Sequence, residues 1–370
     1  MKGISKRHMI SALLGVGLAA LLIWGWDREP RTAYFHNQGK IFGTYYNIRY
    51  EATADLEDSI QAALQAFDNS LSMFNPHSVL SAVNANRDTT TDAAFEAMWS
   101  EAERVYALSN GAFDITVAPL VNFWGFGSRG STPTYSAADQ KVDSLREFVG
   151  FEKVTLFEHR VVKADPRVQI DAGAVAKGQA CDMVAEVLRR QGCTNLLVEI
   201  GGEVVCQGLN AKGEPWHVGI TKPKLDNEGA EDDMQHIIAT SDICMATSGN
   251  YRNFYYVNGE RRSHTIDPRT GYPVQHSLLS ATVVSSSCMR ADALATACMV
   301  VGADEALRMM DRAGDAACYL IVAQADTLAR STSSGTTSCA TTRDASTAVH
   351  AYPYVLPRHS PSTPIPSRSS

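Results

Sequence analysis

The sequence predicts an α+β fold. Alternating apolar runs occur as neighbours joined by short turns, which suits antiparallel hairpins. Runs with helical spacing come in groups and do not alternate singly with strands. Of the 370 residues, 45% are hydrophobic and 20% charged, enough apolar material for a sizeable core. The net charge of -7 argues against a general nucleic-acid binder, which would carry a basic face.

The elements follow in order. Residues 1–26 read as a signal or membrane anchor. Lys2, Lys6 and Arg7 form a basic start, residues 9–26 carry no charge, and Trp24 and Trp26 close the run. That length just approaches the ~20 residues a spanning helix needs. No small-residue cleavage pattern follows, so an uncleaved anchor is expected, with the rest of the chain outside the cytoplasm. Residues 27–40 are polar and without period, and read as a linker. Residues 41–50 alternate as a strand, and residues 56–67 and 93–108 have helical spacing, the second stopped by Asn110-Gly111. Residues 154–170 suggest a strand pair turning at Glu158-His159-Arg160. Residues 174–191 are a helix ended by Gly192. Residues 196–208, 216–221, 237–246 and 279–285 suggest strands of a sheet. Residues 291–301 and 303–313 are helices broken at Gly302, and residues 318–323 a last strand. Residues 331–370 are dominated by Ser, Thr and Pro, which bury too little apolar area to offset ordering entropy, so a disordered tail is expected. The eight cysteines include no CxxC pair, which excludes the usual zinc spacings. Most read as core thiols, with one or two disulfides left open.

Four segments carry possible chemistry. Gly111-Ala112-Phe113-Asp114-Ile115-Thr116, continuing to Trp124-Gly125-Phe126-Gly127, is a glycine-punctuated turn with aromatic packing. The same density suits a flat ligand, because glycine admits close backbone approach and aromatic rings stack. Ile170-Asp171-Ala172-Gly173-Ala174-Val175-Ala176-Lys177-Gly178 enters a helix with small residues and a lysine in its first turns. Free N–H groups plus Lys177 suit a phosphate, although a tight strand-to-helix turn reads equally well. Thr247-Ser248-Gly249-Asn250-Tyr251-Arg252 precedes His264-Thr265-Ile266-Asp267-Pro268-Arg269-Thr270-Gly271-Tyr272-Pro273, a turn in which His264 is either structural or an acid/base. In Arg290-Ala291-Asp292-Ala293-Leu294-Ala295-Thr296, Asp292 and Thr296 share one helix face. Their oxygens suit a hard cation such as Mg²⁺, or Asp292 simply favours a helix start.

In order, these segments resemble the ApbE family, whose pattern runs G-x-F-D-x-T-x-x-P-L-x-x-x-W-G-F, I-D-x-G-x-x-A-K-G, T-S-G-x-Y, H-x-I-D-P-x-T-G-x-P and A-D-A-L-A-T. An earlier stretch, Leu71-Ser72-Met73-Phe74-Asn75-Pro76-His77-Ser78-Val79-Leu80-Ser81, is similar to its S-x-[YF]-x-P-x-S-x-L-S. The resemblance covers about residues 41–322. It implies a T-fold-like α+β domain over residues 41–330 with FAD in a cleft between lobes. It also implies an FAD:protein FMN transferase, which moves FMN to a threonine hydroxyl of a target protein and releases AMP. By the same resemblance Phe74, Ala112, Phe113, Asp114, Asp171, Lys177 and His264 contact FAD, with Lys177 at the pyrophosphate and His264 the catalytic base. Asp292 and Thr296 hold Mg²⁺ by side chains, with carbonyls of Ala174 and Ala295. The implied partners are exported flavin-carrying subunits of electron-transfer complexes, reached from the periplasmic face of a bacterial inner membrane. The alternatives are an Mg²⁺-dependent FAD pyrophosphatase and a non-catalytic flavin carrier. Three departures stand out. No lipobox cysteine is present, Phe42-Gly43-Thr44 replaces the usual M-G-T so that one pocket wall is expected to differ, and Ala172 replaces a common leucine.

Overall fold

The computed structural model describes residues 31–127, 138–221, 223, 234–250, 254–257, 260–323 and 347–350. The anchor expected at residues 1–26 lies outside them, and no described helix is long and apolar enough to cross a membrane.

The frame is an eight-stranded antiparallel sheet in the order β1-β2-β5-β6-β9-β14-β15-β16. Its strands are β1 (Ala33–Ile41), β2 (Thr44–Ala52), β5 (Leu196–Ile200), β6 (Glu203–Gln207), β9 (Asp242–Gly249), β14 (Leu278–Ser285), β15 (Ala317–Ala323) and β16 (Thr347–His350). Four two-stranded hairpins complete the strands: β3 (Val154–Phe157) with β4 (Arg160–Lys163), β7 (Trp216–Thr221) with β8 (Met234–Thr240), β10 (Phe254–Val257) with β11 (Glu260–Ser263), and β12 (Ile266–Asp267) with β13 (Tyr272–Pro273). The helices are α1 (Glu57–Leu71), α2 (Val79–Asn84), α3 (Ala93–Leu108), α4 (Ala118–Phe123), α5 (Ala138–Arg146), α6 (Ala176–Arg190), α7 (Cys288–Val301) and α8 (Ala303–Ala313).

The main core joins helices α1, α3, α6, α7 and α8 to the sheet. α7 is buried nearly all round because its turns are built of small residues, Ala291, Ala293, Ala295 and Ala297. It lies hard against α6. A Cβ on Gly178 would come within 2.3 Å of the Cys288 carbonyl oxygen, so only glycine allows that approach. Asp182 of α6 locks the pair by accepting from the N–H groups of Cys288 and Met289 (3.0 and 2.9 Å), which fills the open donors of α7. Trp216 and Val218 of the β7–β8 hairpin pack with Val204, Cys206 and Met245 in a smaller cluster. A third cluster joins α4 and α5 to β12–β13 through Leu120, Trp124, Val142 and Ile266, with Trp124 Nε1 donating to the Gly271 carbonyl at 2.8 Å.

Several expectations change. The linker at residues 27–40 becomes β1 from Ala33 onward, and the strand expected at 41–50 becomes β2 after a turn at Phe42 and Gly43, both with positive φ. β1 is an edge strand with little buried on either face, so it carries no alternation to read. Phe42 packs on Phe67 with ring centroids 4.9 Å apart and does not line the cavity described below, so it alters no pocket wall. The pair expected across 154–170 ends at Lys163. The strands at 216–221 and 234–240 form their own hairpin and do not extend the main sheet. Within the tail, Thr347–His350 pairs with β15 as an edge strand, because its backbone groups find partners on Ala323 to Leu320 whatever the surrounding composition. The rest of the tail lies outside the described residues. The seven described cysteines are free thiols, and none forms a disulfide.

Candidate active site

A cavity of about 690 Å³ opens between the main core and the α4–α5 cluster. That volume falls within the range of roughly 300–1,000 Å³ typical of small-molecule sites.

The first wall is the entry to α6. Asn84, the last residue of α2, clamps Ile170 by accepting from its N–H (2.7 Å) and donating to its carbonyl (2.8 Å). The Asp171 N–H donates to the Ile115 carbonyl at 2.6 Å, which draws the 110–116 and 170–178 segments together. Asp171 Oδ1 then accepts from the Gly173 N–H at 2.7 Å and tightens the turn. Burial pushes the Asp171 carboxyl up, with the Gly173 bond opposing. Ala174 lines the cavity just ahead of the helix start.

Lys177 points from the first turn of α6 into a cluster of charge. Its Nζ donates to Glu203 Oε1 at 2.7 Å and lies 3.7 Å from Asp292 Oδ1, while a third of the side chain stays accessible. Burial alone would lower the lysine, but Asp292 and Glu203 outweigh it and hold the ammonium above its usual value. Asp292 Oδ2 accepts from the Gly178 N–H at 3.0 Å, so the carboxylate also serves the open N-terminus of α6. One turn along α7, Thr296 Oγ1 lies 3.2 Å from Ser248 Oγ of β9. Burial and the nearby Asp292 push the Glu203 carboxyl up to about 7, with Lys177 opposing.

The remaining lining is aromatic and apolar. Phe113 is buried, whereas Phe74 is 66% exposed and presents an open ring face at the rim. His264 lines the cavity half-buried, its ring 6.2 Å from that of Phe126 in an edge arrangement. Asp114 reaches the cavity, but its carboxylate is occupied. Oδ1 accepts from the Thr116 N–H and hydroxyl (2.8 and 2.7 Å) and Oδ2 from the Phe151 N–H (2.9 Å). Burial still raises this carboxyl.

Phe74, Ala112, Phe113, Asp114, Asp171, Ala174, Lys177, His264, Asp292 and Thr296 thus meet around one cavity, as the motifs implied. Ala295 is the exception. It is fully buried within α7 and does not reach the lining. Tyr251 and Arg252 lie outside the described residues. The motifs assigned no role to Glu203, Ser248 or Asn84. The strand expected across 196–208 breaks at Gly201–Gly202 into β5 and β6, and only that turn sets Glu203 beside Lys177.

The donor set fits a hard divalent cation. Asp292 Oδ1, the hydroxyls of Thr296 and Ser248 and the backbone near Ala174 are all oxygen. Two buried carboxylates face a single ammonium, and Glu203 Oε2 has no hydrogen-bond partner among the described residues. That surplus of negative charge favours a further cation. No group of three or more His, Cys, Asp or Glu side chains converges among the described residues. A cation here would therefore depend on hydroxyl and main-chain oxygens beside Asp292.

An aromatic-lined cleft beside a helix N-terminus, with a lysine and a carboxylate–hydroxyl pair on its wall, defines an α+β protein built for an anionic, ring-bearing ligand. Residues 42–320 match the ApbE family model, and the chain belongs to the ApbE family. It is 36% identical over 305 residues to the FAD:protein FMN transferase of Vibrio cholerae serotype O1, covering 80% of this chain and 90% of that relative. It is 34% identical over 326 residues to the FAD:protein FMN transferase of Escherichia coli K12, covering 83% and 91%. The solved flavin transferase ApbE from Vibrio cholerae is similar with a TM-score of 0.72 and 33% identity, covering 87% of this chain and 97% of that one.

Proposed function

We propose that this protein is an FAD:protein FMN transferase that uses Mg²⁺ and acts on threonine side chains of exported proteins. The observation that carries the reading is Lys177 at the α6 N-terminus, one third accessible to the cavity and set between Glu203 and Asp292. Such a cation beside open N–H groups suits the pyrophosphate of FAD. The family membership and the relatives named FAD:protein FMN transferase support the same activity.

In this reading the flavin ring lies against the aromatic lining near Phe74 and Phe113, and Asp171 and Ala112 border the nucleotide. Lys177 offsets charge on the pyrophosphate, which otherwise repels an incoming oxygen. His264 accepts the proton of the acceptor hydroxyl as that oxygen bonds to the FMN-side phosphorus. The bond to AMP breaks, AMP leaves with the electron pair, and FMN remains as a phosphoester. Asp292 and Thr296, with main-chain oxygen from Ala174, would hold Mg²⁺, which would supply Lewis-acid neutralisation of phosphate charge when bound. Positioning and charge neutralisation provide most of the rate. Residues 1–26, with Lys2, Lys6 and Arg7 at their start, anchor the chain in a bacterial inner membrane with the catalytic domain in the periplasm.

Intact-protein mass spectrometry tests this. The full chain in detergent is incubated with FAD, Mg²⁺ and an acceptor domain carrying a candidate threonine. One FMN phosphoester on that domain, lost in Asp292→Ala, is expected. His264→Ala is expected to slow transfer by about 100-fold or more while FAD binding changes little. Free FMN and AMP without an adduct would identify a pyrophosphatase instead, and equal losses of rate and binding in His264→Ala would remove the base assignment.

A further inference from the structure

Glu203 has no role in the reaction as drawn above, yet it is the most enclosed charged group at the site, only 1% exposed. It opens β6 directly after the Gly201–Gly202 turn, where both glycines have positive φ (64° and 102°). A Cβ on Gly201 would stand 3.1 Å from Lys177 Cδ, so the turn wraps the lysine stem closely. Glu203 grips α6 at two places one turn apart. Its Oε1 accepts from Lys177 Nζ at 2.7 Å, and its carbonyl accepts from Cys181 Sγ at 3.3 Å. Its Oε2 is buried without a partner among the described residues.

We propose that Glu203 is the positioning residue for Lys177. It holds the ammonium at the cavity wall while Asp292 is occupied by a divalent cation. This deepens the flavin-transfer reading and rests on it. Lys177 lies 3.7 Å from Asp292 Oδ1, so a divalent cation on that carboxylate takes over its charge and repels the ammonium. A flexible four-carbon stem would then swing away. The short bond to Glu203 prevents this, and the second grip at Cys181 keeps the strand start and the helix in register. Two cations can therefore sit side by side against one pyrophosphate, because two carboxylates sit behind them.

Two measurements test the proposal, one of them independent of turnover. In crystals of the full chain with Mg²⁺, Lys177 Nζ is expected to keep its hydrogen bond to Glu203 while Asp292 binds the metal. In Glu203→Gln crystals with Mg²⁺ the lysine side chain is expected to leave that place. A Lys177 that abandons Glu203 in the unmutated protein, or holds station in Glu203→Gln, overturns the proposal. In kinetics, Glu203→Gln is expected to lower kcat by about 30- to 100-fold, the scale for a misplaced catalytic group, with the KM for FAD within about threefold. In a Lys177→Ala background the same change is expected to cost less than about twofold, since the two act as a unit. Unchanged kcat in Glu203→Gln, or an equal fall in both backgrounds, overturns the proposal. So does a parallel loss of FAD binding in Glu203→Gln and in the charge-retaining Glu203→Asp, which would mark a merely structural residue. If the unmutated chain forms no FMN adduct, the flavin-transfer reading fails instead, and the crystals still decide what Glu203 does to Lys177.

Discussion

Two lysines of this molecule each donate a 2.7 Å hydrogen bond from a partly buried site, and their surroundings shift them in opposite directions. Lys177 meets the Glu203 carboxylate with Asp292 beyond, and its ammonium is stabilised above the usual value. Lys163 of β4 meets the Val83 carbonyl and the Asn86 side chain, both neutral, and burial pulls it down to about 8. Burial penalises both ammonium groups. What separates them is whether a formal negative charge lies opposite. At the cavity the fold sets two carboxylates opposite one lysine. At Lys163 it uses a lysine to close off the carbonyl end of a short helix and accepts the cost.

The comparison breaks most visibly at Lys177. Lys177→Met should lower kcat for flavin transfer by about 100- to 1,000-fold, the range for removing one preorganised charge-stabilising group. It should also destabilise the apoprotein by about 2–4 kcal/mol, since Glu203 and Asp292 would face each other unpaired. That is somewhat less than for a fully buried pair, because the lysine is one third exposed. Steady-state kinetics and urea melts check both numbers. A rate near that of the unmutated protein would mean the lysine only neutralises the carboxylates.

Next in size is the helix contact that aims Lys177. Gly178→Ala places a methyl group 2.3 Å from the Cys288 carbonyl oxygen, a backbone atom that cannot swing aside. Helices α6 and α7 must part, at a cost of about 2–3 kcal/mol. Denaturant midpoints measure this, and a change under about 0.5 kcal/mol would show that the crossing is looser than the distance indicates.

The smallest effect belongs to Lys163. Its folded value of about 8 lies below the ordinary 10.5, so between those pH values the unfolded chain binds more protons than the native one. The contribution of Lys163 to stability should therefore rise with pH across that window, by about 1–2 kcal/mol after allowing for partial exposure. Lys163→Met should remove that rise. Matching stability profiles for the variant and the parent from pH 8 to about 10.5 would place the lysine in water.

The helices with clean 3.6-residue spacing were legible in sequence. Ala93–Leu108 and Ala303–Ala313 match their predicted limits, because one apolar stripe and clear stop residues define each. β1 was not legible, since an edge strand buries too little to leave a pattern. Residues 216–221 were recognised as a strand, but the strand expected at 237–246 crosses the break between β8 and β9, and both were assigned to one sheet, because alternation records burial on one face and says nothing of the partner strand. Among the site residues, Asp292, Thr296, Lys177 and His264 were found through family motifs. The spacing of Asp292 and Thr296 also placed them on one helix face from first principles. Asp114 was assigned to the ligand. In the fold its carboxylate is bound by Thr116 and Phe151, a contact to a residue 37 positions away that no local pattern records.

By itself, then, the sequence determined the α+β class, the main helices, the family and ten of the residues that line the cavity. These rest on local spacing and on ordered motifs, which are properties of a line of residues. Tertiary structure decided how charge is shared at the site. Glu203 is 26 positions from Lys177, and the Gly178 N–H donates to Asp292, 114 positions away. Those pairings exist because α6, α7 and the start of β6 pack without room for another carbon atom. Electrostatic energy depends on distance in space and on burial, and neither can be read along the chain.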